Sequence, residues 1–378
     1  MAIYLTLLLI VSLSFNQECS GGRYEEEVFD NIYINSGIYY GSNINEGIFG
    51  STNEDLYLDI YEPSGDDLEN RPVVIFMFGG SFIGGSRTSS DIVELCTRYA
   101  KMGYVAVAID YRLTLDLILF ANETTAYKAA AKGIHDLKGA IRFLRMNDEL
   151  YDDYKIDTDR IYAGGVSAGA ISAVNAAYLN LESEVPNFIE EWMNDNGGIE
   201  GNSGNLGYDS NFHGIINLCG AVGQTEWIIE NDIPIVSLHG TTDDVVPYGE
   251  GLITLFGLNM GVAGSGAIHD RMLELGNNSS LLTWEGVGHT PFISSSSYMD
   301  ETIQFSSEFM YDLVCGESSQ TGDLNQDGTI NILDIVILVN LILGQNPDPG
   351  QMELADVNND GVLSILDIVI IINIALDI

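Results

Sequence analysis

Apolar runs of strand length alternate with segments of helical spacing over most of this chain. Pro72 to Phe78 and Tyr104 to Asp110 are nearly continuous apolar runs, as in strands that are covered on both faces. Between them, Asp91 to Gly103 carries helical spacing and ends at a glycine that can cap a helix. Glu123 to Asn147 is a longer helical segment, and the apolar run Arg160 to Gly165 follows it. This alternation predicts an α/β fold, a mostly parallel sheet with helices on both faces.

The pattern continues into the second half of the chain. Apolar runs that begin at Gly214, Ile233 and Leu281 predict further strands, and residues 265–275 and 298–314 predict helices. Polar residues that directly follow these strands are the natural candidates for a functional site, because the carboxyl ends of parallel strands meet at one edge of a sheet.

One segment, Leu181 to Gly214, is too long for an ordinary connection. It is acidic at first and then rich in Gly and Asn. Two explanations stay open, namely a surface insertion and a cap over the functional site. In the second case Phe188 and Trp192 are candidate substrate contacts.

Gly165 to Gly169 fits the pattern G-x-S-x-G, with Ser167 at its centre. The motif follows an apolar run and precedes an alanine-rich segment of helical composition, which predicts a sharp turn from strand to helix. Such a turn exposes the serine hydroxyl, and the first amides of the helix point toward developing negative charge. Ser167 is therefore the candidate nucleophile.

A serine nucleophile needs a base, and the base needs a carboxylate to orient it. For the chain order Ser, Asp, His, both partners are expected at the ends of later strands. Asp243 or Asp244 follows the run "IPIVSLHG", and His289 follows the next run. We interpret His239 as a structural residue at a strand end. No role is assigned to the remaining histidines, which are His135, His213 and His269.

Glycine-rich backbone follows the predicted strand that ends at Phe78. Main-chain amides in such a loop, together with the amide after the serine, can bind the oxygen of a tetrahedral intermediate. The predicted donors are the amides of Gly80, Ser81 and Ala168. Three aromatic residues near the predicted site are candidate substrate contacts, although core packing explains each of them equally well: Phe82, Trp227 and Phe292.

From about Val28 to Val314 the chain resembles the α/β-hydrolase superfamily, and within it the secreted bacterial carboxylesterases. The motif H-G-x-x-D-x-x-V-P of that family matches His239 to Pro247 and selects Asp243 as the acid of the triad. Its terminal G-H pair matches Gly288 and His289. Phe78 stands where the family usually has a histidine that orients the oxyanion loop. The resemblance implies acyl transfer through an acyl-enzyme, without a cofactor for catalysis.

Two similar segments, 33 residues apart, begin at Asp323 and Asp356. In each, positions one, three, five and twelve of a loop carry Asp or Asn, and position seven can offer its backbone carbonyl oxygen. Gly328 or Gly361 stands at position six, and this spacing suits calcium. Asp stands at position twelve, where Glu is usual in calcium loops of this kind. The predicted ligands of two ions are Asp323, Asn325, Asp327, Thr329 and Asp334 in the first loop, and Asp356, Asn358, Asp360, Val362 and Asp367 in the second.

Duplicated loops with Asp at position twelve resemble type I dockerins, which bind cohesins. The resemblance covers Gly322 to Ile378 and implies a small all-α module of paired calcium loops and helices. Both copies carry Ile-Leu just before position twelve, unlike the polar pairs of cellulosomal examples. The resemblance implies two bound calcium ions and a cohesin-like partner.

Charge and cysteine content limit the partners and the compartment. The formal net charge of −41 repels nucleic acid, so no nucleic-acid partner is expected. The apolar block from Ile3 to Phe15 suits a signal peptide and is short for a transmembrane span. Four cysteines in an exported chain permit two disulfides, with three possible pairings.

The expected organisation is a signal peptide at 1–17, a catalytic domain at 18–316, a linker at 317–322 and the calcium module at 323–378. The function that follows is a secreted, extracellular serine esterase that carries a docking module. Acetyl or feruloyl esters of polysaccharides are substrates suggested by association, and polyesters stay open. The alternatives are a serine peptidase on the same fold and a noncatalytic adhesion or scaffold protein.

Overall fold

The structure is a computed structural model of the chain. It describes residues 19, 21–316, 321–322, 324, 330, 332–343, 352, 354–358 and 361–375. Two compact units divide the chain, one within residues 17–310 and the other containing residues 311–378. The predicted signal peptide lies outside the described residues, and so do positions 317–320 of the predicted linker.

A large sheet forms the centre of the unit within residues 17–310. Its strands are β1 (Ile32–Gly47), β2 (Gly50–Pro63), β3 (Arg71–Met77), β4 (Val105–Ile109), β5 (Ile156–Val166), β6 (Ile215–Leu218), β8 (Ile235–Gly240) and β11 (Ser279–Trp284). They follow the order β1-β2-β4-β3-β5-β6-β8-β11. From β4 to β11 every neighbouring pair is parallel, whereas β1 and β2 join antiparallel at one edge. A smaller antiparallel sheet contains β7 (Ala221–Val222), β9 (Glu250–Ile253) and β10 (Met260–Gly264).

Helices connect the parallel strands and pack beside them. They are α1 (Ser90–Met102), α2 (Asp116–Leu119), α3 (Glu123–Leu150), α4 (Ala168–Tyr178), α5 (Asn187–Asp195), α6 (Ser265–Glu274) and α7 (Ser296–Cys315). The first ends at Gly103, whose φ of 109° needs the freedom of glycine. Asn122 caps the N-terminus of helix α3 and forms a capping box with Thr125.

The predicted architecture is confirmed, because the apolar runs are the strands of the sheet. All residues of β3 and β4 are buried, as the continuous apolar runs at 72–78 and 104–110 require. The predicted helices at 91–103, 123–147, 265–275 and 298–314 are α1, α3, α6 and α7 within a few residues at their ends. Strands β1, β9 and β10 and helices α2 and α5 were not predicted from the sequence.

The segment 181–214 packs on the body of the unit, where its Ser203 bonds a buried ion pair. Arg112 bonds Asp136 of α3 at 2.9 Å, and both side chains are fully buried. Asp136 also accepts a hydrogen bond of 2.6 Å from the hydroxyl of Ser203, which belongs to the segment. On the same side, the ring of Trp192 in α5 stacks on His135. A hydrogen bond to the buried pair and ring stacking therefore hold this segment against α3.

The C-terminal unit contains two apolar helices, α8 (Ile332–Ile342) and α9 (Ile365–Ala375), which pack against each other. A small core forms between them and the neighbouring loops, from Leu324, Leu338, Leu341, Leu354, Ala355 and Ile371.

No helix in the described part of the chain is long and apolar enough to cross a bilayer. Cys19 and Cys315 are disulfide-bonded, whereas Cys96 and Cys219 are buried free thiols.

Candidate active site

Strand β5 turns into helix α4 at Ser167, which has φ 54° and ψ −114°. This left-handed conformation is strained for a serine and is a feature of functional sites. A Cβ atom on Gly165 would lie 2.6 Å from the carbonyl oxygen of Met77, and one on Gly169 would lie 2.3 Å from the same oxygen. The two glycines of the motif therefore allow β5 and α4 to pack directly on the end of β3.

Ser167, His289 and Asp243 form a chain of hydrogen bonds. The Ser167 hydroxyl lies 2.8 Å from Nε2 of His289, and Nδ1 of the same imidazole lies 2.5 Å from Oδ2 of Asp243. The serine side chain comes from the β5–α4 turn, the carboxylate from the turn after β8, and the imidazole from the loop after β11. The structure thus brings together the three residues that were selected from the sequence.

The carboxylate of Asp243 is fully buried and is held at both oxygens. Oδ1 accepts from the backbone amides of Val245 and Val246, at 2.8 and 2.9 Å. Oδ2 lies 3.1 Å from Nε2 of His239, besides its bond to His289. Burial alone raises the pKa of Asp243, but the hydrogen bonds from His239 and His289 outweigh it and hold the pKa well below its ordinary value. Asp243 is therefore an anion at neutral pH.

His239 belongs to a buried polar network behind Asp243. Its Nδ1 lies 2.7 Å from the hydroxyl of Ser265, which accepts a hydrogen bond of 3.1 Å from the Asn217 amide. The Ser265 proton is then free to point at Nδ1 of His239, which leaves the ring proton on Nε2 to donate to Asp243. Sequence reasoning missed this role, although a histidine four residues before the acid was a usable signal.

The glycine-rich loop after β3 passes directly over Ser167. Gly80 has φ 122°, and a Cβ atom there would lie 2.1 Å from the carbonyl oxygen of Gly84. Ser81 and Phe82 have φ values of 56° and 62°. Phe78, at the position of the usual histidine, stacks on Tyr111 with ring centroids 4.3 Å apart. An aromatic stack therefore supports the base of this loop instead of an imidazole.

An apolar cavity, the near cavity, opens beside Ser167. Phe82 lines it, as expected, whereas Trp227 lines a neighbouring cavity. Phe292 is buried, lies against Trp284 and lines neither cavity. Trp192 donates its ring N–H to Glu46 and lines neither of them. The near cavity is lined by Ser81, Phe82, Leu117, Ala126, Ala130, Ser167, Ala168, Ile171, Val245, Val246, Ile253, Phe256, Leu258 and Met260.

The remaining cysteine and histidine residues take no visible part in this chain of hydrogen bonds. Cys219 is buried close to Asp243 and His289, and burial raises the pKa of its thiol to about 12. A thiol at that pKa is protonated and inert at neutral pH. His135, His213 and His269 bond to Gly198, Ile161 and Ser279, respectively, away from Ser167.

Comparison with known families separates the chain into two parts. Residues 58–220 match the family model described as BD-FAE, and residues 321–375 match the model of the dockerin type I domain. The chain has the α/β-hydrolase fold and carries a type I dockerin domain.

Curated relatives of the α/β-hydrolase part are lipases and esterases. Lipase 1 of Geotrichum candidum is 30% identical over 129 residues, which is 33% of this chain and 22% of that protein. Pyrethroid hydrolase Ces2a of Mus musculus is 32% identical over 124 residues, 32% of this chain and 21% of that protein. This chain thus matches about a fifth of the length of these relatives.

A solved esterase has the same fold as the α/β-hydrolase part. Esterase 2 of Thermogutta terrifontis superposes with a TM-score of 0.51 in its tabun-treated form, at 22% identity, over 72% of this chain and 95% of the esterase. Its propionate-bound form gives 0.50 at 21% identity, over 72% and 94% of the two chains. At this identity the likeness shows the fold alone.

In the dockerin domain, described carboxylates bond the backbone of their own loops. Asp356 accepts from the Gly361 amide at 2.7 Å, and Gly361 has φ 81°, as a sharp turn at position six requires. Asp367 accepts from the Ser364 amide at 2.8 Å, and Asp334 accepts from the Leu324 amide at 2.8 Å. The other predicted ligands fall into two groups: Asn358 and Val362 are described, whereas Asp323, Asn325, Asp327, Thr329 and Asp360 lie outside the described residues.

The dockerin helices expose apolar residues at equivalent positions. Ile332 and Val336 of α8 are 66% and 51% exposed, and Ile365 and Val369 of α9 are 71% and 48% exposed. In each helix the two residues are one turn apart and therefore share a face. The two helices thus present the same exposed apolar pair.

Proposed function

We propose that this α/β-hydrolase is a serine carboxylesterase that acts through Ser167, His289 and Asp243. The observation that carries the proposal is the continuous chain of hydrogen bonds from the Ser167 hydroxyl through both nitrogens of His289 to Asp243, at 2.8 and 2.5 Å. A hydroxyl in this arrangement can lose its proton to the imidazole as it attacks a carbonyl carbon.

In the first step, Ser167 Oγ bonds to the ester carbonyl carbon, and His289 Nε2 takes the hydroxyl proton. The same proton passes to the leaving alcohol when the carbon–oxygen bond of the ester breaks, which leaves an acyl-enzyme. Water then attacks the carbonyl carbon of the acyl-enzyme, and His289 Nε2 takes a proton from it. The bond between that carbon and Ser167 Oγ breaks, the proton passes from His289 to Ser167 Oγ, and the carboxylic acid is released. Asp243 stays ionised, keeps the Nδ1 proton of His289 in place and stabilises the imidazolium that forms in each step.

The amides of Gly80, Ser81 and Ala168 are the proposed donors to the oxyanion. Gly79 supports this assignment, because its Cα lies so close to Ser167 that an added Cβ would be 3.3 Å from the serine Cβ. Ala168 begins α4, and the first amides of a helix have no acceptor within the helix. No metal or organic cofactor is needed for this chemistry.

Ser167→Ala tests the proposal with p-nitrophenyl butyrate as substrate. We expect the variant to fold like the parent and to lose turnover to the background rate. Ser306→Ala, which removes another buried helix hydroxyl on α7, should retain turnover. Turnover that survives in Ser167→Ala would remove this serine from the mechanism.

A fluorophosphonate label separates the esterase from its alternatives. Labelling of Ser167 without ester turnover, but with cleavage of peptide substrates, would favour a serine peptidase. No labelling at all would favour a noncatalytic adhesion or scaffold protein. The intact hydrogen-bond chain supports a catalytic protein over that last alternative.

We also propose that the dockerin domain binds two calcium ions and docks the enzyme on a cohesin-like protein outside the cell. The ligand types of the two loops are hard oxygen donors, and the described carboxylates of Asp334 and Asp367 are fully buried, as expected for groups that share a cation. The exposed pairs Ile332/Val336 and Ile365/Val369 are the proposed contacts with the partner. Acyl esters of polysaccharides, acetyl or feruloyl, are the substrates that such docking favours.

A further inference from the structure

Two apolar cavities lie side by side in the α/β-hydrolase part and share a wall. The near cavity holds Ser167, and the second, the far cavity, lies beneath α5. Three residues line both: Ala130 of α3, Ile171 of α4 and Met260 of β10. The far cavity is lined by Tyr127, Ala130, Ala131, Ile134, Ile171, Asn175, Leu179, Pro186, Ile189, Met193, Ala221, Gly223, Trp227, Met260 and Val262.

The near cavity has the chemistry of a site for an uncharged alkyl chain. Apart from Ser81 and the nucleophile Ser167, its lining residues are apolar. An acyl group attached to Ser167 that turned into this cavity would therefore bury its carbon atoms without burying an unpaired polar group.

The size of the near cavity limits how long that chain can be. Its free volume is ≈ 50 Å³. A dry apolar cavity that binds one benzene molecule has a volume of about 150 Å³, about three times this value. The near cavity therefore suits a short alkyl chain, whereas the ring of a feruloyl group needs more space.

The wall residues are positioned to set this limit. Ile171 lies four residues after Ser167 on α4, and its amide donates to the Ser167 carbonyl at 2.9 Å. The two side chains therefore share one face of the helix. Ile171 is β-branched and stiff, so it does not swing aside to admit a longer chain. Met260 completes the wall from the small sheet, and both side chains are buried.

We infer that the Ile171–Met260 wall restricts this enzyme to esters of short, unbranched acids, from acetyl to butyryl. The far cavity, with a free volume of ≈ 40 Å³, is the space into which a longer chain would extend if the wall were removed. The inference rests on the proposed esterase function and deepens it by choosing acetyl over feruloyl esters.

The experiment measures kcat/KM for p-nitrophenyl acetate, butyrate, hexanoate and octanoate, and for a feruloyl ester. We expect the wild-type protein to prefer acetate and butyrate over octanoate. In Ile171→Ala and Met260→Ala, the octanoate-to-butyrate ratio of kcat/KM should rise about tenfold or more, because each accommodated methylene is worth about that factor. Ile171→Val is a milder variant in case the alanine variant does not fold.

Matched controls separate an opened wall from a loosened core. Ile268→Ala and Met272→Ala remove the same side chains from fully buried positions on α6, and neither residue lines either cavity. Both should keep the wild-type chain-length profile. In the opposite direction, Ala126→Val fills the near cavity and should lower butyrate turnover more than acetate turnover.

Each result decides the inference. A wild-type protein that prefers octanoate or the feruloyl ester overturns it and leaves the esterase intact. Wall variants with an unchanged profile, or controls that shift it equally, overturn it as well. If the wild-type protein hydrolyses none of the esters, the proposed function fails first and the inference falls with it.

Discussion

His239 and His289 hydrogen-bond the same oxygen of Asp243, at 3.1 and 2.5 Å. Because one imidazole lies on β8 and the other in the loop after β11, the carboxylate cannot rotate without losing one of these hydrogen bonds. His239 is in turn held by Ser265, so the position of Asp243 depends on two buried side chains behind it.

Replacing His239 by Phe should therefore slow the reaction without weakening substrate binding. We expect kcat to fall about 10- to 100-fold, because misplaced catalytic groups cost rates of that order, with little change in KM. Steady-state kinetics on the butyrate ester measure both constants. His239→Gln, which keeps a donor, should recover part of the loss; an unchanged kcat in the Phe variant would assign His239 to packing alone.

Asp243 should stabilise the fold in a pH-dependent way. Its pKa is lower in the folded than in the unfolded chain, so ionised Asp243 contributes stability above the unfolded value of about 4, and that contribution is lost as the pH falls toward the folded pKa. The difference in free energy of unfolding between wild type and Asp243→Asn should be largest at pH 5–7 and shrink below about pH 4. Urea unfolding at several pH values measures it, and a difference that grows on acidification contradicts the assignment.

Gly80→Ala should damage catalysis more than folding. An added Cβ would meet the Gly84 carbonyl oxygen at 2.1 Å, at a φ of 122° that L-residues rarely adopt, so the loop must move away from Ser167. Losing one oxyanion donor costs about 10²- to 10³-fold in kcat. Gly84→Ala in the same loop is the control, because its Cβ would point into open space. Equal activity of the two variants would place the oxyanion donors elsewhere.

Asp136→Asn should destabilise the packing of segment 181–214. It leaves the fully buried Arg112 without its carboxylate partner, a change that costs about 3–5 kcal/mol in other buried pairs. Thermal or urea unfolding measures the loss. Glu274→Gln, which removes an exposed ion pair with Arg271, should have little effect. If Asp136→Asn unfolds like the wild type, the buried pair does not stabilise the fold.

Removing calcium should loosen the dockerin domain and leave ester turnover unchanged. Without the ion, the clustered carboxylates repel one another. We expect isothermal titration of the chelator-treated full chain to show calcium binding that Asp367→Asn weakens, while turnover of the butyrate ester is the same in EDTA. Absence of calcium binding, or loss of ester turnover in EDTA, would contradict this division of roles.

The sheet was predictable because its central strands are buried on both faces and so read as continuous apolar runs. Strand β1 was not predictable from the sequence, since most of its residues are half-buried or exposed. Irregularities at Asn35/Ile38 and Tyr39/Gly41 also break the alternation of its side chains between the two faces. Helix α5 was hidden in a segment whose acidic and glycine-rich composition is typical of a loop.

The three residues of the hydrogen-bond chain could be chosen from sequence, because each follows a strand and strand ends converge. The wall between the cavities could not be predicted from the sequence, because Ala130, Ile171 and Met260 come from three distant elements and each is an ordinary core residue. For Phe292 the sequence left substrate contact and core packing open, and in the structure its ring lies against Trp284. Adjacency along the chain indicates a site only where the backbone brings the residue to the strand end.

The contact of Gly165 and Gly169 with the Met77 carbonyl has a mechanical consequence. The loop that follows Met77 carries two of the three proposed oxyanion donors, Gly80 and Ser81, so Ser167 and these two donors are anchored at one point of the backbone. Thermal motion should then shift them together, so that the distance between the Ser167 oxygen and these proposed amide donors is preserved.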